Sequence, residues 1–132
     1  MIALDTNILA RLLLADDAAQ LVRVKTLLGK KQNYTAPITV MLELVWVLEA
    51  NDCTAIDIER GMNLLLGLAN FKPAHLEELK QALAWYAQGL DFADALHLAL
   101  SGEVKQLFTF DRGFAKLAKK NASTTAVVEA RD

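Results

Sequence analysis

The sequence predicts an α/β fold built on a largely parallel sheet. Short apolar runs, of the length of buried strands, alternate with longer segments whose apolar residues recur every three or four positions. Cap and turn residues separate the two kinds of segment. No block of strands stands apart from the helices, so a parallel sheet joined by crossover helices is the expected architecture. In such sheets, sites gather beyond the carboxyl ends of the strands.

Ile2-Ala3-Leu4 reads as a short buried strand, and Asp5-Thr6-Asn7 as its end and the N-cap of a helix. Ile8, Leu9, Leu12 and Leu13 follow at helical spacing. A second helix is expected over residues 16–28, capped by Asp16 or Asp17, closed by Gly29, and presenting Ala18, Leu21, Val22, Lys25 and Leu28 on one face. Tyr34-Thr35-Ala36 is a short strand. Pro37 and Thr39 open a helix to about Ala50, with Val45, Trp46 and Leu48 expected in the core. Asn51-Asp52 breaks it. Thr54, with Asp57 three residues on, resembles a capping box for a helix to about Leu68. Asn70-Phe71-Lys72-Pro73 is a connector or strand. An amphipathic helix over residues 75–88 begins near an exposed His75 and stops at Gly89. Residues 92–100 form a short helix closed by Gly102. Leu107-Phe108-Thr109-Phe110 is a strand ending at Asp111, residues 113–119 a brief helix, and residues 125–128 a last strand. There is no repeat, low-complexity tract or linker, so residues 1–132 are expected to form a single domain.

Composition narrows the function. Hydrophobic residues make up 54% and charged residues 23%, which excludes a disordered chain. Lys and Arg number 14 against 16 Asp and Glu, for a net charge of −2. A strongly basic coat is absent, so any nucleic-acid contact must use a local patch. The uncharged stretches 32–42 and 61–71 fall well short of the roughly 20 apolar residues of a membrane span. The opening Met1-Ile2-Ala3-Leu4-Asp5 carries no basic residue, so no secretory signal is expected. A single cysteine, Cys53, excludes an internal disulfide and a cysteine metal cage and is expected to be inert. The expectation is a cytoplasmic chain without membrane contact.

The acids say more than the bases. Asp5 follows Ile-Ala-Leu, Glu43 lies inside Val40-Met41-Leu42-Glu43-Leu44-Val45-Trp46, Asp94 follows Phe92-Ala93, and Asp111 follows Leu-Phe-Thr-Phe. A carboxylate in apolar surroundings needs a partner, because desolvation costs several kcal/mol. Arg112 is the obvious basic neighbour. Each acid taken singly reads as a helix cap or a solvated face. Taken together they point to a shared divalent cation, and oxygen ligands suit Mg²⁺ or Mn²⁺. Without metal the carboxylates repel one another, so at least one should hold a proton near neutrality. Asp91 and Asp94 are three residues apart on one helix face, with Asp91 the expected N-cap and a candidate outer metal or water ligand.

The segments Leu-Asp-Thr-Asn-Ile-Leu, Glu-Leu-Val-Trp-Val-Leu, Asp-Phe-Ala-Asp-Ala-Leu and Thr-Phe-Asp-Arg-Gly-Phe, in this order, resemble the PIN-domain ribonucleases. More narrowly they resemble the VapC-type toxins of toxin–antitoxin pairs. The resemblance covers nearly the whole chain. It implies a PIN-like three-layer fold, a mostly parallel five-stranded sheet flanked by helices. It maps the acidic quartet onto Asp5, Glu43, Asp94 and Asp111, as ligands of one or two Mg²⁺ or Mn²⁺ ions and the catalytic set of an endoribonuclease. Products with 5′-phosphate and 3′-hydroxyl ends follow. Thr6, Asn7 and Thr109 match positions that support the acids by hydrogen bonds. A cognate antitoxin, an RNA substrate and a homodimer are the implied partners.

Arg11, one turn after Asn7, and Arg112, next to Asp111, are candidates for RNA contact. His97, one turn after Asp94, is expected at a pocket edge without a catalytic role. Lys30-Lys31 and Lys119-Lys120 are expected on solvated faces. The first helix is apolar nearly all round through Leu9, Leu12, Leu13 and Leu14, so part of it is expected to meet another chain. A haloacid-dehalogenase-type site fits poorly, because Asp5-Thr6-Asn7 lacks the second acid. A receiver domain also fits poorly, and a Gly-x-x-x-x-Gly-Lys nucleotide loop is absent. The competing readings are an idle PIN-like module that binds RNA or protein, and a DNA nuclease with the same metal chemistry.

Overall fold

The computed structural model describes residues 1–15, 18–29, 31–121 and 125–130, with the side chain of Leu21 left out. The chain divides into two compact units, Met1–Leu76 and Glu77–Asp132. The α/β alternation is present, and both strand pairings are parallel. The five-stranded sheet is not: the described residues hold four short strands in two separate pairs. Helix signals cut the strands of the first unit short, because Asp5 caps a helix two residues after Ala3 and Pro37 opens another two residues after Thr35.

In the first unit, β1 (Ile2–Ala3) lies parallel to β2 (Tyr34–Thr35), with Ile2 opposite Tyr34 and Ala3 opposite Thr35. Leu4 donates its N–H to the Thr35 carbonyl at 2.8 Å. On its other side Tyr34 bridges in parallel to Phe71, through Tyr34 N–H to Asn70 O and Lys72 N–H to Tyr34 O, both 2.7 Å. The connector at Asn70-Phe71-Lys72 therefore supplies a third sheet position. Helix α1 (Thr6–Leu14) buries Leu9 and leaves Leu12, Leu13 and Leu14 half-buried. Helix α2 (Ala18–Leu28) has its expected caps, Asp16 and Asp17, outside the described residues, and Lys30 lies outside them as well. Carbonyls at its C-terminal end would be orphaned. Tyr34 Oη donates to Leu27 O and Asn70 Nδ2 to Leu28 O, so the sheet closes the helix that precedes it.

Helix α3 (Ile38–Ala50) buries Val40, Met41, Leu44, Val45 and Leu48, one stripe at three- and four-residue spacing. Trp46 is not on that stripe. It falls on the opposite side with Glu43 and is 50% exposed, which corrects the expectation that it packs in the core. Helix α4 (Ala55–Leu66) starts as expected, with Thr54 Oγ1 accepting the Asp57 N–H at 3.2 Å, and ends two residues earlier than the pattern implied. Ile58, Met62 and Leu65 are buried, while Ile56 and Leu64 are exposed.

The second unit holds α5 (Leu76–Ala87) from Glu77 onward, α6 (Phe92–Leu100), β3 (Gln106–Thr109), α7 (Arg112–Lys120) and β4 (Ala126–Glu129). His75, exposed and with φ at 60°, precedes α5. Gly89 turns the chain after α5 with φ at 116°, a conformation only glycine adopts without strain. Tyr86 and Phe92 then meet edge to face, ring centres 5.6 Å apart. Ser101, not Gly102, caps α6: its ordinary negative φ needs no glycine, and its N–H reaches Leu98 O. β3 and β4 run parallel from Gln106 opposite Ala126 to Thr109 opposite Glu129, and α7 is the crossover that parallel pairing requires. Trp85 Nε1 donates to Asn121 O at 3.3 Å. The buried Thr125 hydroxyl lies 2.8 Å from the carbonyl oxygens of both Ser101 and Val104, pinning the entry to β4.

Candidate functional site

Both units carry candidate acids, and each holds them differently. In the first, Asp5 is the N-cap of α1, held in extended backbone, and its Oδ1 accepts the Thr6 N–H at 2.7 Å. Its carbonyl accepts from Ile8 and Leu9, the first bonds of the helix. Thr6 is buried, and its hydroxyl donates to Glu43 Oε2 on α3 at 3.3 Å. One residue thus ties the Asp5 cap to the Glu43 carboxylate, 37 positions apart in the chain. Asp5 and Glu43 are themselves exposed.

In the second unit, Asp91 caps α6 through Oδ2 to the Asp94 N–H at 3.1 Å, and Asp111 caps α7 through Oδ1 to the Phe114 N–H at 3.0 Å. Thr109 Oγ1 accepts the Asp111 N–H at 3.0 Å and fixes the backbone where β3 hands over to α7. The two helix starts face one cavity of about 220 Å³, lined by Asp91, Asp94 and Asp111 with Leu90, Gly113, Phe114 and Leu117. Asp94 is half-buried in the first turn of α6. Burial raises its pKa above the usual aspartate range, and the charges of Asp91 and then Asp111 raise it further, opposed in part by His97. Of the four acids expected to crowd one another, Asp94 and Asp111 are the two that line this cavity.

Gly113 was not singled out by sequence reasoning. A Cβ there would stand 3.3 Å from Asp111 Oδ1, so the missing side chain gives the carboxylate its room. The available signal was a glycine two residues after a helix cap. Arg112 does not partner these acids: its Nε lies 3.5 Å from Glu129 Oε1, because β4 runs beside β3 and brings Glu129 opposite Thr109. His97 is exposed, one turn beyond Asp94, and Lys119 and Lys120 are exposed in the last turn of α7, where cations suit the helix dipole. Cys53 is half-buried beside the turn before α4. Asn7 and Arg11 line a pocket between α1 and α2.

The donor chemistry of Asp91, Asp94 and Asp111 suits a hard divalent cation: all donors are carboxylate oxygens, and a cation would offset the burial and the repulsion that raise Asp94. Among the described residues, no group of three or more His, Cys, Asp or Glu is gathered closely enough to hold a metal ion by itself. No helix among them is long and apolar enough to cross a membrane.

The family model described as PIN domain matches residues 2–120, which spans both units. No curated protein and no solved structure matches the chain significantly.

Proposed function

The chain belongs to the PIN domain family, whose members are generally metal-dependent nucleases, and from that premise we propose that it is an endoribonuclease using Mg²⁺ or Mn²⁺ and acting as the toxin of a toxin–antitoxin pair. The observation that carries the reading is the carboxylate-lined cavity at the starts of α6 and α7, with Asp94 held above its ordinary pKa. Asp5, Glu43, Asp94 and Asp111 are the acids assigned to the reaction, Asp91 an outer ligand. When bound, one or two ions would activate water and shield the charge of the scissile phosphate. Thr6 holds the Glu43 carboxylate in place, and Thr109 sets the backbone of Asp111. Asp94, whose proton burial and the neighbouring acids hold more tightly than in an ordinary aspartate, is the acid best suited to a proton-transfer role. Cleavage would leave a 5′-phosphate and a 3′-hydroxyl.

A cytoplasmic homodimer with an antitoxin partner belongs to the same reading. The exposed Ile56 and Leu64 of α4 and Leu68 after it are apolar surface that a partner chain would cover. The test is incubation with single-stranded RNA, structured RNA and matched DNA in Mg²⁺, Mn²⁺ or EDTA, beside Asp5→Asn and Asp94→Asn. Metal-dependent RNA cleavage lost in both variants is the expected result. Cleavage of DNA alone overturns the substrate. Absence of both cleavage and metal binding overturns the assignment of the acids.

A further inference from the structure

We propose that the pocket between α1 and α2 seats a backbone phosphate of the nucleic-acid strand, an inference that rests on the nuclease reading above. The pocket measures about 340 Å³ and is lined by Arg11, Arg23, Asn7, Gln20, Ile8 and Val24. Two arginines and two amide side chains line it with two apolar residues, and among the described residues no carboxylate does. Neither α1 nor α2 contains an acid. In a chain of net charge −2, this is the local basic patch that binding a polyanion requires.

Helical geometry builds the patch. Asn7 and Arg11 are four residues apart on α1, and Gln20, Arg23 and Val24 share a face of α2 at spacings of three and four. The polar groups are therefore contributed by two helices in contact. Guanidinium groups match phosphate with paired N–H donors, and the amide groups add further donors. Arg23 makes no ion pair among the described residues, so its charge is not spent on a carboxylate there. Among the described residues no aromatic ring lines the pocket, which favours the backbone over a stacked base as the occupant. Asn7 stands two residues after Asp5, and Arg11 lies about 6 Å further along the helix axis. A strand whose phosphate is addressed by Asp5 would lay a neighbouring phosphate along this line.

The experiment measures binding without cleavage. Fluorescence anisotropy of labelled single-stranded RNAs of unrelated sequence is followed in EDTA over a range of NaCl, for the unaltered chain, Arg23→Gln, Arg11→Gln and Arg23→Lys. The expected result for Arg23→Gln is about tenfold weaker binding at low salt on every sequence, with the slope of log affinity against log salt reduced by about 0.7. Arg23→Lys should keep the slope. Arg23 is exposed, and an unchanged melting temperature shows that its variants fold. Inorganic phosphate at millimolar concentration should shift the Arg23 side-chain NMR signal less than RNA at micromolar concentration, which separates a strand phosphate from a free anion. An unchanged salt slope in Arg23→Gln overturns the proposal, as does an Arg23 signal that responds to poly-glutamate but not to RNA. Cleavage by the unaltered chain in Mg²⁺ is scored separately. Cleavage with an unchanged Arg23→Gln slope sinks the pocket alone, and an Arg23-dependent slope without cleavage sinks only the hydrolase reading. A chain that binds neither RNA nor phosphate overturns the pocket outright.

Discussion

The Asp5–Glu43 pair and the Asp91–Asp94–Asp111 cavity treat negative charge in opposite ways. In the first unit each carboxylate is exposed and receives a hydrogen bond, Asp5 from the Thr6 amide and Glu43 from the Thr6 hydroxyl. In the second, the caps Asp91 and Asp111 receive amide N–H groups, but Asp94 stands half-buried in the field of both and its pKa rises. Two devices for carrying acids are thus present: hydrogen-bond donors on exposed carboxylates, and burial with crowding that disfavours the charged form of Asp94. The difference singles out Asp94 as the acid whose charged form the fold disfavours.

The largest effect expected from this contrast is on cleavage. Asp5→Asn and Asp94→Asn should each lower the rate by at least about 100-fold, read from initial rates on labelled RNA in Mg²⁺. A loss confined to one of them would break the comparison, leaving one acid group idle. Thr6→Val removes only the bond to Glu43. A ten- to hundredfold drop in rate is expected, with stability lowered by about 1 kcal/mol in urea titrations; full activity would mean that the exposed Glu43 needs no positioning.

Stability separates the two acid groups next. An acid whose native pKa is raised binds its proton more tightly when folded. Its stabilising contribution is full below the ordinary aspartate range and is lost as pH rises through the raised value. Asp94→Asn should therefore leave the melting temperature at pH 7 unchanged or higher, and should flatten its rise on moving from pH 7 into the acid range relative to the unaltered chain. Asp5→Ala removes a helix cap and should lower stability by about 1 kcal/mol at pH 7. Equal melting shifts for the two variants would erase the distinction. The smallest effect is that of Gly113→Ala, which crowds Asp111 Oδ1: a few-fold loss of rate with little change in melting temperature. A rate at the unaltered level would show that Asp111 has room to move aside.

The elements legible in the sequence are those that carry their own start signals. Thr54 and Asp91 cap the helices they were expected to cap, Asp5 and Asp111 take the cap that each acid read singly allowed, and Gly89 ends the helix before it in the only backbone region that demands glycine. Caps are local chemistry, settled by three or four neighbouring residues. Strand pairing is not local. Two-residue strands such as β1 and β2 carry no periodicity, and nothing near Phe71 announces that it bridges to Tyr34. Trp46 was misplaced because its size argued for the core, when the three- and four-residue spacing of its neighbours already placed it outside. The acids at helix starts were found because a carboxylate among apolar residues stands out. Arg23, Gln20 and Gly113 were missed because each is ordinary in its own segment and acquires meaning only from the helix or carboxylate across from it.

The chain has two tryptophans, one in each unit: Trp46 half in solvent on α3, and Trp85 buried on α5 with its indole N–H bonded to a backbone carbonyl. Excited indole emits at longer wavelength in water than in an apolar surround. The folded protein should therefore glow in two colours, the red edge from the first unit and the blue from the second. As denaturant is added, the blue component reddens when the second unit opens, while the red one barely moves. The ordinary emission spectrum is thus a built-in dye for one half of the molecule, and a Trp85→Phe chain would leave a lamp only on the half that carries Glu43.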